Sequence, residues 1–167
     1  MKAKSMKAIL IAIAITVIPA GAFAQNVTGI KKGRSGTFRA EILEKVEEKG
    51  SAAGYRSDSK VAFLREGTVL NAKQGIAFGF EYKIIGIPKA VSIPLKAVVI
   101  YPKQGLTNPR THQTKYSDSF VVPRSIEEDH VSYYKLSEPW EVQPGRWTFE
   151  LWYQNRKLTE QSFDLIK

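Results

Sequence analysis

"PGRWTFELWYQNRKL", Pro144 to Leu158, alternates as a β-strand does. Trp147, Phe149, Leu151 and Tyr153 fall on one side, and Thr148, Glu150, Trp152 and Gln154 on the other. Period two over this length specifies a half-buried strand, the first set facing a core and the second facing water. Trp152 breaks the rule, because a large indole stands where the pattern wants a polar side chain. The next residues, "KLTEQSFDLIK" (Lys157 to Lys167), read as the second arm of a closing hairpin. For Phe163 and Leu165 to share the buried side with Trp147 and Phe149, Phe149 is expected to pair with Phe163 and Leu151 with Gln161. Asn155, Arg156 and Lys157 would then form the turn. That register sets Leu158 beside Trp152 on the outer side. Two readings of Trp152 follow. It is covered by the amino-terminal segment, a loop or the edge of the core, or it is an open aromatic platform.

The same period recurs upstream. "TFRAEILEKV" (Thr37 to Val46) alternates Phe38, Ala40 and Ile42, and "KVAFLREGTVL" (Lys60 to Leu70) carries Val61, Phe63, Val69 and Leu70. "GIAFGFEYKIIG" (Gly75 to Gly86) is the cleanest run, with Ile76, Phe78, Phe80, Tyr82 and Ile84 on one side. "VSIPLKAVVIYP" (Val91 to Pro102) follows. In it Pro94 points to an edge or a bulge, since proline has no N–H to give a ladder. Shorter runs appear at "SFVVP" and "HVSYYKL". "AEILEKVEEKG" also fits a helix by its acid and base spacing, but the alternation favours strand. "SIEEDH" (Ser125 to His130) fits a single helical turn capped by Ser125. About eight short strands separated by Gly, Pro, Asn and Ser turns specify an antiparallel sandwich.

The beginning of the chain has a different character. Lys2, Lys4 and Lys7 precede the uncharged run "AILIAIAITVI", and "AFA" before Gln25 is a small-x-small cleavage signal, so residues 1–24 are expected to be a secretory signal peptide removed after Ala24. The run is too short to span a bilayer, and no later stretch is long enough. Processing takes three of the positive charges that make up the formal +9, leaving a moderately basic chain suited to anionic partners. Residues 25–36, "QNVTGIKKGRSG", are expected to be a flexible lead-in, with residues 37–167 as one domain. There is no cysteine, so neither disulfides nor thiol chemistry is available.

"IAFGFEYKIIGIP" (Ile76 to Pro88), "IPLKAVVIYPKQGLTNPRT" (Ile93 to Thr111) and "EPWEVQPGRWTFELWYQNRKLTEQSF" (Glu138 to Phe163) together resemble the bacterial exported domain of unknown function 3859, over about Thr37 to Ile166. The resemblance implies a signal-bearing, Gram-negative, periplasmic protein with an immunoglobulin-like β fold. It carries no catalytic residues to transfer. The expected fold is therefore an all-β, immunoglobulin-like antiparallel β-sandwich of about seven to eight strands.

Motifs for catalysis are sparse. His112 and His130 stand far apart, and neither has a neighbour at metal-ligand spacing. No G-x-S-x-G elbow, Walker loop or G-x-G-x-x-G occurs. Glu127, Glu128 and Asp129 have the oxygen chemistry for Ca²⁺, but three adjacent acids read as a solvated turn, so no metal or cofactor is expected. The better candidate is the loop Pro102 to Lys115, with Lys103, Arg110, His112 and Lys115 and no acid among its residues. Loops between sandwich strands commonly carry recognition, while Gly105, Pro102 and Pro109 are explained by turn geometry alone. The candidate ligand residues are thus Trp152, Leu158, Lys103, Arg110, His112 and Lys115. The partner class is an anionic glycan, a lipid head group or an envelope protein, and not nucleic acid. The expected function is an exported, non-catalytic binding module of the bacterial envelope. The alternative is an envelope hydrolase using carboxylates gathered by the fold.

Overall fold

The computed structural model describes residues 25–47, 51–53 and 55–167, so the leader expected at residues 1–24 lies outside the described residues. Eleven strands occur among them: β1 (Asn26–Glu47), β2 (Tyr55–Glu66), β3 (Val69–Asn71), β4 (Ala77–Ile87), β5 (Ser92–Ile100), β6 (Leu106–Asn108), β7 (Gln113–Lys115), β8 (Ser117–Ser125), β9 (Asp129–Lys135), β10 (Gly145–Tyr153) and β11 (Arg156–Ile166). One sheet runs β2-β1-β4-β9 and the other β3-β11-β10-β5-β8, with β6 and β7 as a separate hairpin. The β3–β11 pair is parallel and the other pairs are antiparallel. The expected seven to eight strands fall short of eleven because β3, β6 and β7 are three residues each, too short to show a period.

The core lies between the two sheets, where the alternating side chains meet. Phe78 of β4 packs edge-on against Trp147 and Phe149 of β10 and Phe163 of β11, with ring centroids 5.5, 5.7 and 5.5 Å away. Edge-to-face contacts at this distance suit the ring quadrupoles. Each of these four rings is fully buried. Trp147 also donates from Nε1 to the Gln143 carbonyl at 3.0 Å, so its one polar atom is satisfied.

Several expectations need correction. Residues 26–36 are not a loose lead-in but the first half of β1, paired along β4 from Asn26↔Ile87 to Gly36↔Gly79. Register shifts at Val27/Gly29 and Lys32/Ser35 break the alternation there, which hides the strand from a period-two reading. "AEILEKVE" continues β1 as strand. The run Lys60 to Leu70 is two strands: at Gly67, with φ of 146°, the chain leaves β2 in one sheet and enters β3 in the other. Pro94 sits in a strand with neighbours on both sides, but β10 pairs only with Lys96 to Ile100, so no ladder bond is asked of its nitrogen on that side. Ser125 to His130 is a strand-to-strand turn rather than helical, with Glu127 at φ of 64°.

The closing hairpin departs from its expected register. Tyr153 pairs with Arg156 around a two-residue turn, Gln154 and Asn155, both at positive φ (47° and 62°), the backbone of a type I′ hairpin. A two-residue turn alone would send Phe163 to the outer side. A bulge prevents this: Trp152 pairs with Lys157 and Leu151 with Thr159, leaving Leu158 as the extra residue. From there Trp147 pairs with Phe163, and Phe163 is inward as required.

Candidate binding face of the five-stranded sheet

Strand pairing arranges the outer face of the five-stranded sheet in rows. From β11 through β10 and β5 to β8 they read Ser162–Thr148–Ile100–Ser117, then Glu160–Glu150–Val98–Ser119, then Lys157–Trp152–Lys96–Val121. Trp152 therefore stands between two lysines, one on each neighbouring strand. It is half-buried and belongs neither to the core nor to the residues packed against it. Its indole Nε1 donates to Glu150 Oε2 at 2.8 Å, and Lys157 Nζ lies 5.9 Å from the ring centroid, within cation–π range.

Charge explains why this row is ordered. Glu150 and Glu160 face each other directly, which is unfavourable for like charges. Lys157 Nζ bridges them at 3.2 and 2.6 Å. The hydrogen bond from Lys157 holds the Glu160 carboxyl below its ordinary range, and Glu160 and Glu150 raise the Lys157 ammonium. Lys157 is thereby committed and steadies the indole. Lys96 is exposed with no ion-pair partner among the described residues. Leu158 is not part of this face: as the bulge residue it packs against the core, so the expected Trp152–Leu158 spot does not form.

The basic loop is divided by the fold. β6 and β7 make a small hairpin with Arg110 and His112 exposed at its turn, His112 at φ of 55°. Asn108 braces it, accepting from Arg110 N at 2.9 Å and donating to the Ala52 carbonyl at 2.9 Å. Lys103 is exposed in the turn before β6. Lys115 turns back to Asp118 Oδ1 at 3.5 Å and is half-buried, so it leaves the group. The loop follows Ile100, four residues beyond Lys96 on β5, roughly 13 Å along the strand. Trp152 and the loop are consequently separate surfaces.

Two buried carboxylates escaped the sequence reading. Glu141, 1% exposed, accepts from Tyr134 Oη at 2.8 Å and from the Ser137 and Glu138 backbone N–H groups at 2.7 Å each. Burial raises its pKa against these bonds. Asp118, 5% exposed, accepts from Ala52 N at 2.7 Å and so holds the segment between β1 and β2. Burial and the Asp118 charge push the Tyr101 hydroxyl far above its ordinary pKa. Glu141 reaches back to the Glu138 N–H as the third residue of a capping box does, but Glu138 is not one of the Ser, Thr, Asp or Asn caps by which such a box is read from sequence. Asp118 shares the parity of buried Val122.

A cleft of about 500 Å³ opens on the other sheet, around the β1 irregularity at Gly33, and includes His130. Two of its four cations meet its two acids, Arg34 gripping Glu81 with two bonds of 2.6 and 2.8 Å and Lys83 meeting Asp129 at 3.3 Å, while Lys32 donates to the Glu160 carbonyl at 3.2 Å and Lys31 is exposed. His130 rests against Tyr82, with Nε2 2.8 Å from the Ser125 carbonyl. Glu127 takes the Gly86 N–H at 3.2 Å. Glu127 and Asp129 are thus directed to different partners, and Glu128 is exposed. Among the described residues no three His, Asp or Glu side chains gather as a metal site, and no helix is long and apolar enough to cross a membrane.

Comparison with known proteins agrees with this architecture. The family model described as domain of unknown function (DUF3859) matches residues 36–165. Among solved structures, the chain is similar to an immunoglobulin-like protein, PA1606, from Pseudomonas aeruginosa. Identity is 22% and the TM-score 0.53, covering 81% of this chain and 97% of that one. At that identity the likeness is one of fold. The Pseudomonas fluorescens alkylpurine DNA glycosylase AlkC aligns at 13% identity and a TM-score of 0.35, over 59% of this chain and 27% of that one, too distant for any argument. No curated protein matches.

Proposed function

The chain belongs to the DUF3859 family of domains of unknown function, and we propose that it is a non-catalytic binding module that holds an anionic glycan on the outer face of its five-stranded sheet. The observation that carries this reading is the row Lys157–Trp152–Lys96. An indole outside the core, held by Glu150 and Lys157, offers a broad apolar face against which a sugar ring can stack. Lys96, exposed and without an ion-pair partner among the described residues, supplies the charge for a carboxylate or phosphate on that sugar. Glu160, exposed beside them, accepts from ring hydroxyls.

What weighs against a hydrolase is the employment of the buried carboxylates. Glu141 and Asp118 are bonded to backbone N–H groups and to Tyr134 and Lys115, and they organise turns. The proposed place of action is the envelope, on the strength of the leader-like residues 1–24; mass spectrometry of the exported protein is expected to begin at Gln25, and a chain retaining Met1 to Ala24 contradicts this placement.

Titration of the purified chain with an oligouronate, with a neutral oligosaccharide as control, tests the site. Trp152→Ala is expected to weaken binding by about tenfold or more, and Lys96→Ser to weaken it and flatten its salt dependence. Binding unchanged in both variants contradicts the reading.

A further inference from the structure

Strand β8 ends the five-stranded sheet, and the phase of its ladder with β5 can be read from both ends. Tyr101 N donates to the Tyr116 carbonyl at 2.9 Å, and Ile126 N donates to the Val91 carbonyl at 3.0 Å. Hydrogen-bonded and open pairs alternate in an antiparallel ladder, so Ser117, Ser119, Val121 and Pro123 all occupy open positions and turn their backbone groups away from β5. Pro94 and Pro123 face each other at one of these open positions, where neither ring costs a ladder bond. The N–H and C=O groups of Ser117, Ser119 and Val121 accordingly line a free edge, with no protein partner among the described residues.

The side chains of this edge are unlike those of the others. Among its described side chains β2 exposes Lys60, Arg65 and Glu66 around Leu64, β9 carries Asp129 and Lys135, and β3 is three residues long. Such charges and short lengths are the usual protection of a sheet edge. On β8 the outward residues are Ser117, Ser119, Val121 and Pro123, all exposed and all uncharged, with Val121 63% exposed. Behind them on β5 lie Ile100, Val98 and Lys96.

We infer that β8 is a self-association edge, and that its occupant is β8 of a second copy of this chain, antiparallel about a two-fold axis at Ser119. In this arrangement Ser119 meets its own symmetry mate, and Val121 meets Ser117 of the other copy, each pair closing both of its hydrogen bonds. Size matches size, since the valine lies over a serine. Across that serine it reaches Ile100, and the two copies of Val98 flank the central serines. The result is an apolar strip with a Lys96 at either end, so no like charges meet at the axis. Pro123, lacking an N–H, ends the ladder. The two-fold axis stands perpendicular to the sheet and keeps both outer faces on the same side of one continuous sheet.

Sedimentation equilibrium of the purified chain tests this independently of any ligand. The wild type is expected to give twice the chain mass. Ser119→Pro removes an N–H that the single copy does not use, just as at Pro123. It is expected to halve the mass to one chain while circular dichroism and the melting midpoint stay unchanged. If that variant does not fold, Val121→Lys decides instead, by placing a charge on the strip at a position exposed in the single copy. A wild type of single-chain mass at about 1 mM, the weakest association of interest, overturns the inference. So does a dimer that persists in the deciding variant.

Discussion

Trp147 and Trp152 are five residues apart on one strand and have opposite surroundings. Trp147 is fully buried against Phe78, Tyr101 and Tyr134, so Trp147→Ala is expected to cost about 3–5 kcal/mol in chemical denaturation. Trp152→Ala is expected to cost less than about 1 kcal/mol, since it removes contacts to Glu150 and Lys157 only at the surface. Equal losses would place Trp152 in the core. Glu141 invites a pH experiment. Its folded pKa is raised above the ordinary 4.5, chiefly by burial. The folded state therefore binds the proton more tightly than the unfolded chain, and this stabilisation is full below the ordinary carboxyl range and lost as pH rises through the raised value. Glu141→Ala leaves Tyr134 Oη and the two backbone donors without their acceptor, and it is expected to cost about 1–3 kcal/mol. The gap from wild type should be widest in acid and narrow as pH rises. A gap that widens with pH contradicts the direction assigned to Glu141.

Among the strands, β4 was legible because Phe78, Phe80, Tyr82 and Ile84 keep an unbroken period against one buried layer. β1 was legible only from Thr37 onward, since the irregularities before it shift which side each residue faces. The closing hairpin shows the same limit. Its inward residues Trp147, Phe149 and Phe163 could be named from the pattern, but one extra residue at Leu158 changes both turn and register, and nothing in a leucine announces a bulge. Gly79, between the two core phenylalanines of β4, tests how closely the strands approach. A Cβ there would lie 2.0 Å from the Ser132 carbonyl oxygen on β9. Gly79→Ala is thus expected to separate β4 from β9 and cost about 3 kcal/mol. At Gly29, where a Cβ meets nothing within 4 Å, the same change should be nearly neutral or slightly stabilising. Similar melting points for the two variants would contradict this account of the β4–β9 contact.

For the molecule as a whole, the candidate site was half legible. Trp152 drew notice because it violates the alternation of its own strand, a local signal. Of its two lysine neighbours, Lys157 is brought opposite by the local β10–β11 hairpin, but Lys96 comes from β5, far away in sequence, and only the sheet order places it beside the indole. Leu158 was drawn elsewhere by the core, a long-range demand, and Lys115 by Asp118, three residues on, whose burial only the fold creates. On the proposed reading the ligand lies on the Lys157–Trp152–Lys96 row and not at the β6–β7 tip. The most direct measurement is an NMR titration of the isotopically labelled chain with an oligouronate, following the three indole N–H signals and the backbone amides. The Trp152 indole and the amides of Lys96 and Lys157 are expected to shift together, while the Trp147 indole, bonded to Gln143 inside the core, stays in place. Shifts confined to Lys103, Arg110 and His112, with Trp152 unmoved, would contradict the account.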